Sequence, residues 1–310
     1  FDHLFWLGNG KYISIFPTLP DGTTIEWAIG SIGNICVAMF LALSGYGMYC
    51  VVEKKQNYTL RDSLIRIKNL WTNYALITIV FIVLDLTFGR IAFDPIRIIL
   101  NIFVLDFSYN KYAWFMITYI VIMLVFPLCY YLFKNTKWQQ QIILIIIVKA
   151  GITVINMVLN HFVNVPDVIY RTFIEPFMFL PVFLIGYMCA EYDIYEKIYN
   201  KVIQGRVEKI KLFALLVAIF IFIYKFQYTV LDNVTAPIIC FLIAYFGNGN
   251  LVGKGLSYIG KHSTNMWLIH YSIITLFLWV LYIVFFYFKI HKILYLFSFQ
   301  NYACFCLSTF

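Results

Sequence analysis

Long apolar runs alternate with short polar stretches along the whole chain, at 31–52, 70–88, 113–133, 141–160, 174–190, 212–230, 236–248, 263–288 and 293–310. The runs are continuous and lack the two-residue alternation of a membrane β-barrel. Most approach the roughly 20 residues that a helix needs to cross a bilayer. Residues 1–7 read as the tail of one more helix. A shorter run, 96–107, is too brief to cross and is expected to be re-entrant or interfacial. The pattern predicts an all-α, polytopic transmembrane helix bundle of about ten helices, the first incomplete. No repeat or long hinge divides it. Phe1 in place of a start methionine, and an apolar run reaching Phe310, lead us to expect a single membrane domain over 1–310, cut short at both ends.

Composition agrees with the pattern. Hydrophobic residues make up 62% of the chain and charged residues 12%, with a mean hydropathy of +0.82. An ordinary soluble domain carries about 25% charge and is excluded. The net charge of +8 would point to nucleic acid in a soluble protein; here basic residues serve to orient the helices, and no nucleic-acid partner is implied. With the first helix running outward and 96–107 not crossing, the inside segments 53–69, 134–140, 191–211 and 253–262 hold five, two, five and two Lys/Arg. That makes fourteen inside against eight outside, with Lys149 within a span. Letting 96–107 cross would put the 191–211 cluster outside, so the first topology is preferred. Aromatic residues, one fifth of the chain, fit interfacial belts around positions such as Tyr109, Tyr112 and Trp114. The seven cysteines show no ligand spacing, so neither a disulfide nor a metal site is read.

A few polar groups in this apolar setting need explanation. His3, near the end of the first helix, is either an interfacial histidine or a base able to take a proton from an acceptor hydroxyl. Ser44, Gly45 and Tyr46 interrupt the second span; small residues there serve close helix packing or a cavity wall. The basic segment 53–68 reads as a loop whose Arg61, Arg66 and Lys68 face either anionic lipid or a phosphorylated donor. Asp85, Lys149 and Glu175 lie in or beside spans and should face the bundle interior. Glu175 also suits the first turn of a helix, where an acid complements the dipole. The glycines of 247–255 resemble a phosphate loop only superficially and read as a turn. His270 follows the end of the glycine-bearing inside segment 253–262 by about two helical turns, roughly 10 Å into the membrane. It either locks its helix or lines a reaction cavity.

In order and spacing these segments resemble the acyltransferase-3 family of integral membrane acyltransferases. The motifs are His3; Phe40-Leu-Ala-Leu-Ser44-Gly45-Tyr46; Leu64-Ile-Arg66-Ile-Lys68; Ala113-Trp114-Phe115-Met116; Phe183-Leu-Ile-Gly186-Tyr187; and the closing stretch from Leu256 to His270. The family's arginine eleven residues before the first-helix histidine would precede Phe1, and the paired arginines, Arg61 and Arg66, are more widely separated than in the family. The resemblance implies transfer of an acetyl or other short acyl group from cytosolic acyl-coenzyme A, with acetyl-coenzyme A the expected donor, to a hydroxyl of an extracytoplasmic glycan or envelope component in a bacterial inner or plasma membrane. It implies His3 as base or acyl carrier, with Arg61, Arg66 and Lys68 on donor phosphates. Ser44, Gly45, Tyr46, Trp114, Glu175 and His270 would line the passage, with no metal. A non-enzymatic transporter or glycan/lipid translocase would explain the spans equally well.

Overall fold

The computed structural model describes residues 35–55, 57–110, 113–162, 169–203, 209–226 and 231–276, with a few isolated positions besides. Among these residues there is no β-strand. The first described helix, α1 (Cys36–Lys55), ends on Lys54 and Lys55, cations at the negative end of its dipole. The next, α2 (Leu60–Thr87), begins after a four-residue connection, 56–59. The predicted loop at 53–68 is therefore mostly helix. Asp62 explains the tight turn: its carboxylate accepts the Thr59 N–H at 2.9 Å and pairs with Lys55, tying the end of α1 to the start of α2.

The short helix α3 (Pro95–Ile102) is capped by Asp94, which accepts the Arg97 N–H at 3.1 Å, and has proline in its first turn. It does not cross. Its C-terminal end turns back onto the middle of α2: Tyr74 Oη donates to the Asn101 carbonyl at 2.9 Å and Trp71 Nε1 to the Ile102 carbonyl at 3.1 Å. Tyr74 is about 20 Å from either end of α2 at 1.5 Å per residue. The stretch around 96–107 thus folds back against α2, and its helix is too short to cross a bilayer, in line with its length in the sequence. Asn101, fully buried, organises the returning loop. Its Nδ2 donates to the Arg97 carbonyl and to Asp106, and its Oδ1 accepts the Tyr109 N–H at 3.1 Å. Irregular backbone at this depth is tolerated because protein groups satisfy it.

Four apolar helices follow the pattern of the sequence: α4 (Trp114–Lys134), α5 (Trp138–Phe162), α6 (Glu175–Glu191) and, later, α8 (Lys209–Phe226). Between α6 and α8 lies the amphipathic α7 (Ile194–Ile203). The last segments are α9 (Asp232–Gly247) and α10 (251–276). Five helices among the described residues are long and apolar enough to cross a membrane. Helix α6 is the hub: 67% of the span Tyr170–Glu191 is buried, against 11% of Trp138–Leu159, which turns most of its surface to lipid.

The tightest contact joins α6 to α1. A Cβ on Gly45 would overlap the Phe183 carbonyl, and one on Gly186 would overlap that of Ala42. Each glycine therefore lets the other helix's backbone in, which is how membrane helices gain dispersion contact without a hydrophobic drive between them. Glu175 opens α6, with Pro176 in the first turn, as the sequence predicts; a π-helical turn, Tyr170–Ile174, runs directly into it, so the Glu175 N–H already bonds to the Tyr170 carbonyl. The last helix start departs from the sequence reading. The glycines beyond 250 are helical; the turn spans only 248–250. Lys254 and Lys261 consequently project on exposed turns of α10, and packing begins near Ser263.

Candidate active site

Four helices line a half-open cavity of about 400 Å³. Its walls follow helical arithmetic, since residues three or four apart share a face. Helix α2 supplies Arg66, Asn69 and Leu70; α4 supplies Phe115 and Tyr119; α10 supplies Thr264 and Trp267; α1 adds Phe40. Trp267 packs against both hydrophobic clusters of the bundle, so the cavity lies at their junction.

Among the described residues, Arg66 is the only cation in that wall. It is half-buried, and the Tyr119 phenol lies against its guanidinium. Among the described residues no carboxylate pairs with it; the ion pairs there include Arg90–Asp85 at 2.7 Å and Arg171–Glu175 at 3.9 Å. Facing a cavity with five N–H donors, Arg66 is suited to an oxygen anion or carbonyl.

The three basic residues of the sequence reading are not brought together. Arg61 and Lys68 are about 20° apart around α2, whereas Arg66 is about 140° from Arg61. Arg61 and Lys68 are exposed, and neither lines the cavity. Gly45 packs against α6. Ser44 is half-buried and does not line the cavity. Tyr46 stacks on Tyr195 with ring centres 5.5 Å apart, and Tyr195 Oη donates to the Pro237 carbonyl at 3.0 Å. Burial pushes the Tyr195 phenol above its usual range, so it stays a donor there.

Trp114 and Glu175 do meet, through a residue the sequence reading assigned no role. The Arg171 guanidinium lies 5.8 Å from the Trp114 ring centre and also pairs with Glu175. Trp114 stacks on Phe179 and touches Phe115 edge-on at 6.0 Å, so this group abuts the cavity without lining it. His270 is half-buried, and its Nδ1 meets the carbonyl of Trp267. Since a carbonyl only accepts, Nδ1 carries the proton in this contact. The ring stands about 30 Å along α10 from the 248–250 turn, and it braces the turn bearing Trp267 instead of lining the cavity. His3 lies outside the described residues, as do residues 1–7 and 293–310.

Lys149, without an evident partner in the sequence, donates to the Met178 carbonyl at 3.1 Å. Among the described residues no group of three His, Cys, Asp or Glu is placed to hold a metal ion, and Cys36, Cys50, Cys129, Cys189 and Cys240 are free thiols.

Most of the cavity wall was missed from sequence. Asn69 and Leu70 share a helix face with Arg66, Tyr119 follows Phe115 by four residues, and Thr264 precedes Trp267 by three. That spacing was the available signal, but it does not reveal which faces meet.

Comparison with known proteins found no curated protein and no solved structure that matches the chain. A family match covers residues 1–310, to an acyltransferase domain. Whole-chain coverage, with five apolar helices suited to crossing a membrane, shows that this multi-pass membrane protein belongs to the acyltransferase-3 family.

Proposed function

We propose that this protein is an O-acyltransferase that draws an acetyl or other short acyl group from cytosolic acyl-coenzyme A and delivers it to a hydroxyl of an extracytoplasmic glycan or other envelope component. The reading rests on one observation above all: Arg66, without a carboxylate partner among the described residues, faces a cavity in a member of an acyltransferase family. In the preferred topology the start of α2 is cytoplasmic and the start of α4 extracytoplasmic. Arg66, Asn69 and Thr264 then receive the polar part of the donor, and the thioester reaches toward Phe115 and Tyr119.

In the reaction the acyl C–S bond breaks and an acyl C–O bond forms. The acceptor hydroxyl loses its proton to a base, and the departing coenzyme A thiolate is protonated in turn. His3 is the proposed base. Arg66 offers donors to a phosphate or to the thioester oxygen, where negative charge grows. Aromatic walls exclude water and so limit thioester hydrolysis. Trp114, Arg171 and Glu175 mark the acceptor side, and the bacterial inner or plasma membrane is the proposed location.

Thermal unfolding of the purified protein with and without acetyl-coenzyme A tests this reading. The donor should raise the midpoint, and Arg66→Ala should weaken donor affinity about tenfold to a hundredfold, the scale of one charged hydrogen bond. Stabilisation unchanged in a folded Arg66→Ala protein would remove Arg66 from the donor site.

A further inference from the structure

The cavity wall combines two chemistries. Arg66, Asn69 and Thr264 provide polar groups, whereas Phe40, Phe115 and Trp267 form a joined aromatic wall. Phe115 is the keystone. It is 5% exposed and is gripped edge-on by Phe40 at 5.4 Å, Trp267 at 5.2 Å and Trp114 at 6.0 Å. Edge-to-face aromatic pairs add stability beyond the area they bury, so three partners oppose rotation of this ring. Trp267 is secured in turn by both core clusters and by the His270 contact to its carbonyl.

We infer that Phe115, with Phe40 and Trp267, is a chain-length stop that admits an acetyl group and rejects longer acyl chains. This deepens the proposed function and rests on it, because the cavity must first take an acyl thioester. A donor held at its polar end by Arg66 directs its acyl methyl at the aromatic wall. Each added methylene then has to displace a ring that is packed on several sides, and overpacking of that kind is costly. Discrimination by one methylene in an apolar pocket reaches tenfold or more.

Calorimetric titration of the full chain in detergent with acetyl-, butyryl- and hexanoyl-coenzyme A reads this directly. In the wild type, affinity should fall by roughly tenfold or more from acetyl to hexanoyl. Phe115→Ala should abolish the fall, so that hexanoyl-coenzyme A binds no more weakly than acetyl-coenzyme A. Phe115→Leu and Trp267→Leu, gentler changes at the same wall, carry the test if the alanine variant does not fold. A wild type indifferent to chain length overturns the stop and leaves the donor reading intact, as does an unchanged length profile in folded wall variants. Failure of the wild type to bind any of the three thioesters overturns the donor reading, and the stop falls with it.

Discussion

Arg66 and Asn101 illustrate the two ways a polar side chain persists inside this bundle. Asn101 spends its hydrogen-bonding capacity on the protein: its amide, its side-chain oxygen and its backbone carbonyl all find partners around the returning loop. Arg66 does the reverse, presenting donors to a cavity. The first residue should matter to folding and the second to ligand. Asn101→Ala leaves the Tyr109 N–H and the Asp106 carboxylate without that partner, and should destabilise the protein by about 2–4 kcal/mol. Denaturant or thermal unfolding in detergent measures it; a loss below about 0.5 kcal/mol would contradict the hub role of Asn101. Val104, a β-branched residue with φ of 63°, lies in the same loop and adds backbone strain that this network must offset.

At the scale of elements, the crossing of α1 and α6 depends on the absence of two side chains. Gly186→Val would drive methyl groups into the Ala42 carbonyl, a rigid backbone atom that cannot move aside as a side-chain tip would. The expected cost is about 3 kcal/mol, at the upper end of core overpacking, seen as a lower unfolding midpoint; a midpoint within 1 °C of wild type would show that the helices do not pack this closely. The elements themselves were largely legible. Apolar length placed four of the five described spanning helices to within about five residues, whereas α2 begins at Leu60, ten residues before the run at 70–88; the run at 96–107 forms only the short helix Pro95–Ile102. What failed was local punctuation. Polar and charged residues at 53–68 read as a loop, yet Asp62 caps and braces a helix that starts at Leu60. Glycines at 253, 255 and 260 read as a turn, yet the helix runs through them. Composition alone does not distinguish an exposed helical extension from a loop.

For the molecule as a whole, α6 is the shaft against which α1, α4, α5, α7 and α9 pack, and the cavity arises at the junction of two packing clusters. A site of this kind is hidden from the sequence because it depends on the rotation of four helices relative to one another. Arg66 was foreseen as chemically important while its neighbours Asn69, Tyr119, Thr264 and Trp267 were not. The same rotation separates Arg66 from Arg61 and Lys68, which a linear reading groups together. The central claim, that this cavity receives the acyl donor, is tested most directly by asking whether the donor covers its wall. A cysteine at Asn69, in Asn69→Cys protein, can be labelled with a thiol reagent and followed by peptide mass spectrometry. Saturating acetyl-coenzyme A should slow labelling at 69 while leaving a cysteine at the exposed Lys261 unaffected, and Arg66→Ala should remove the protection. Equal labelling at position 69 with and without the donor would contradict the account.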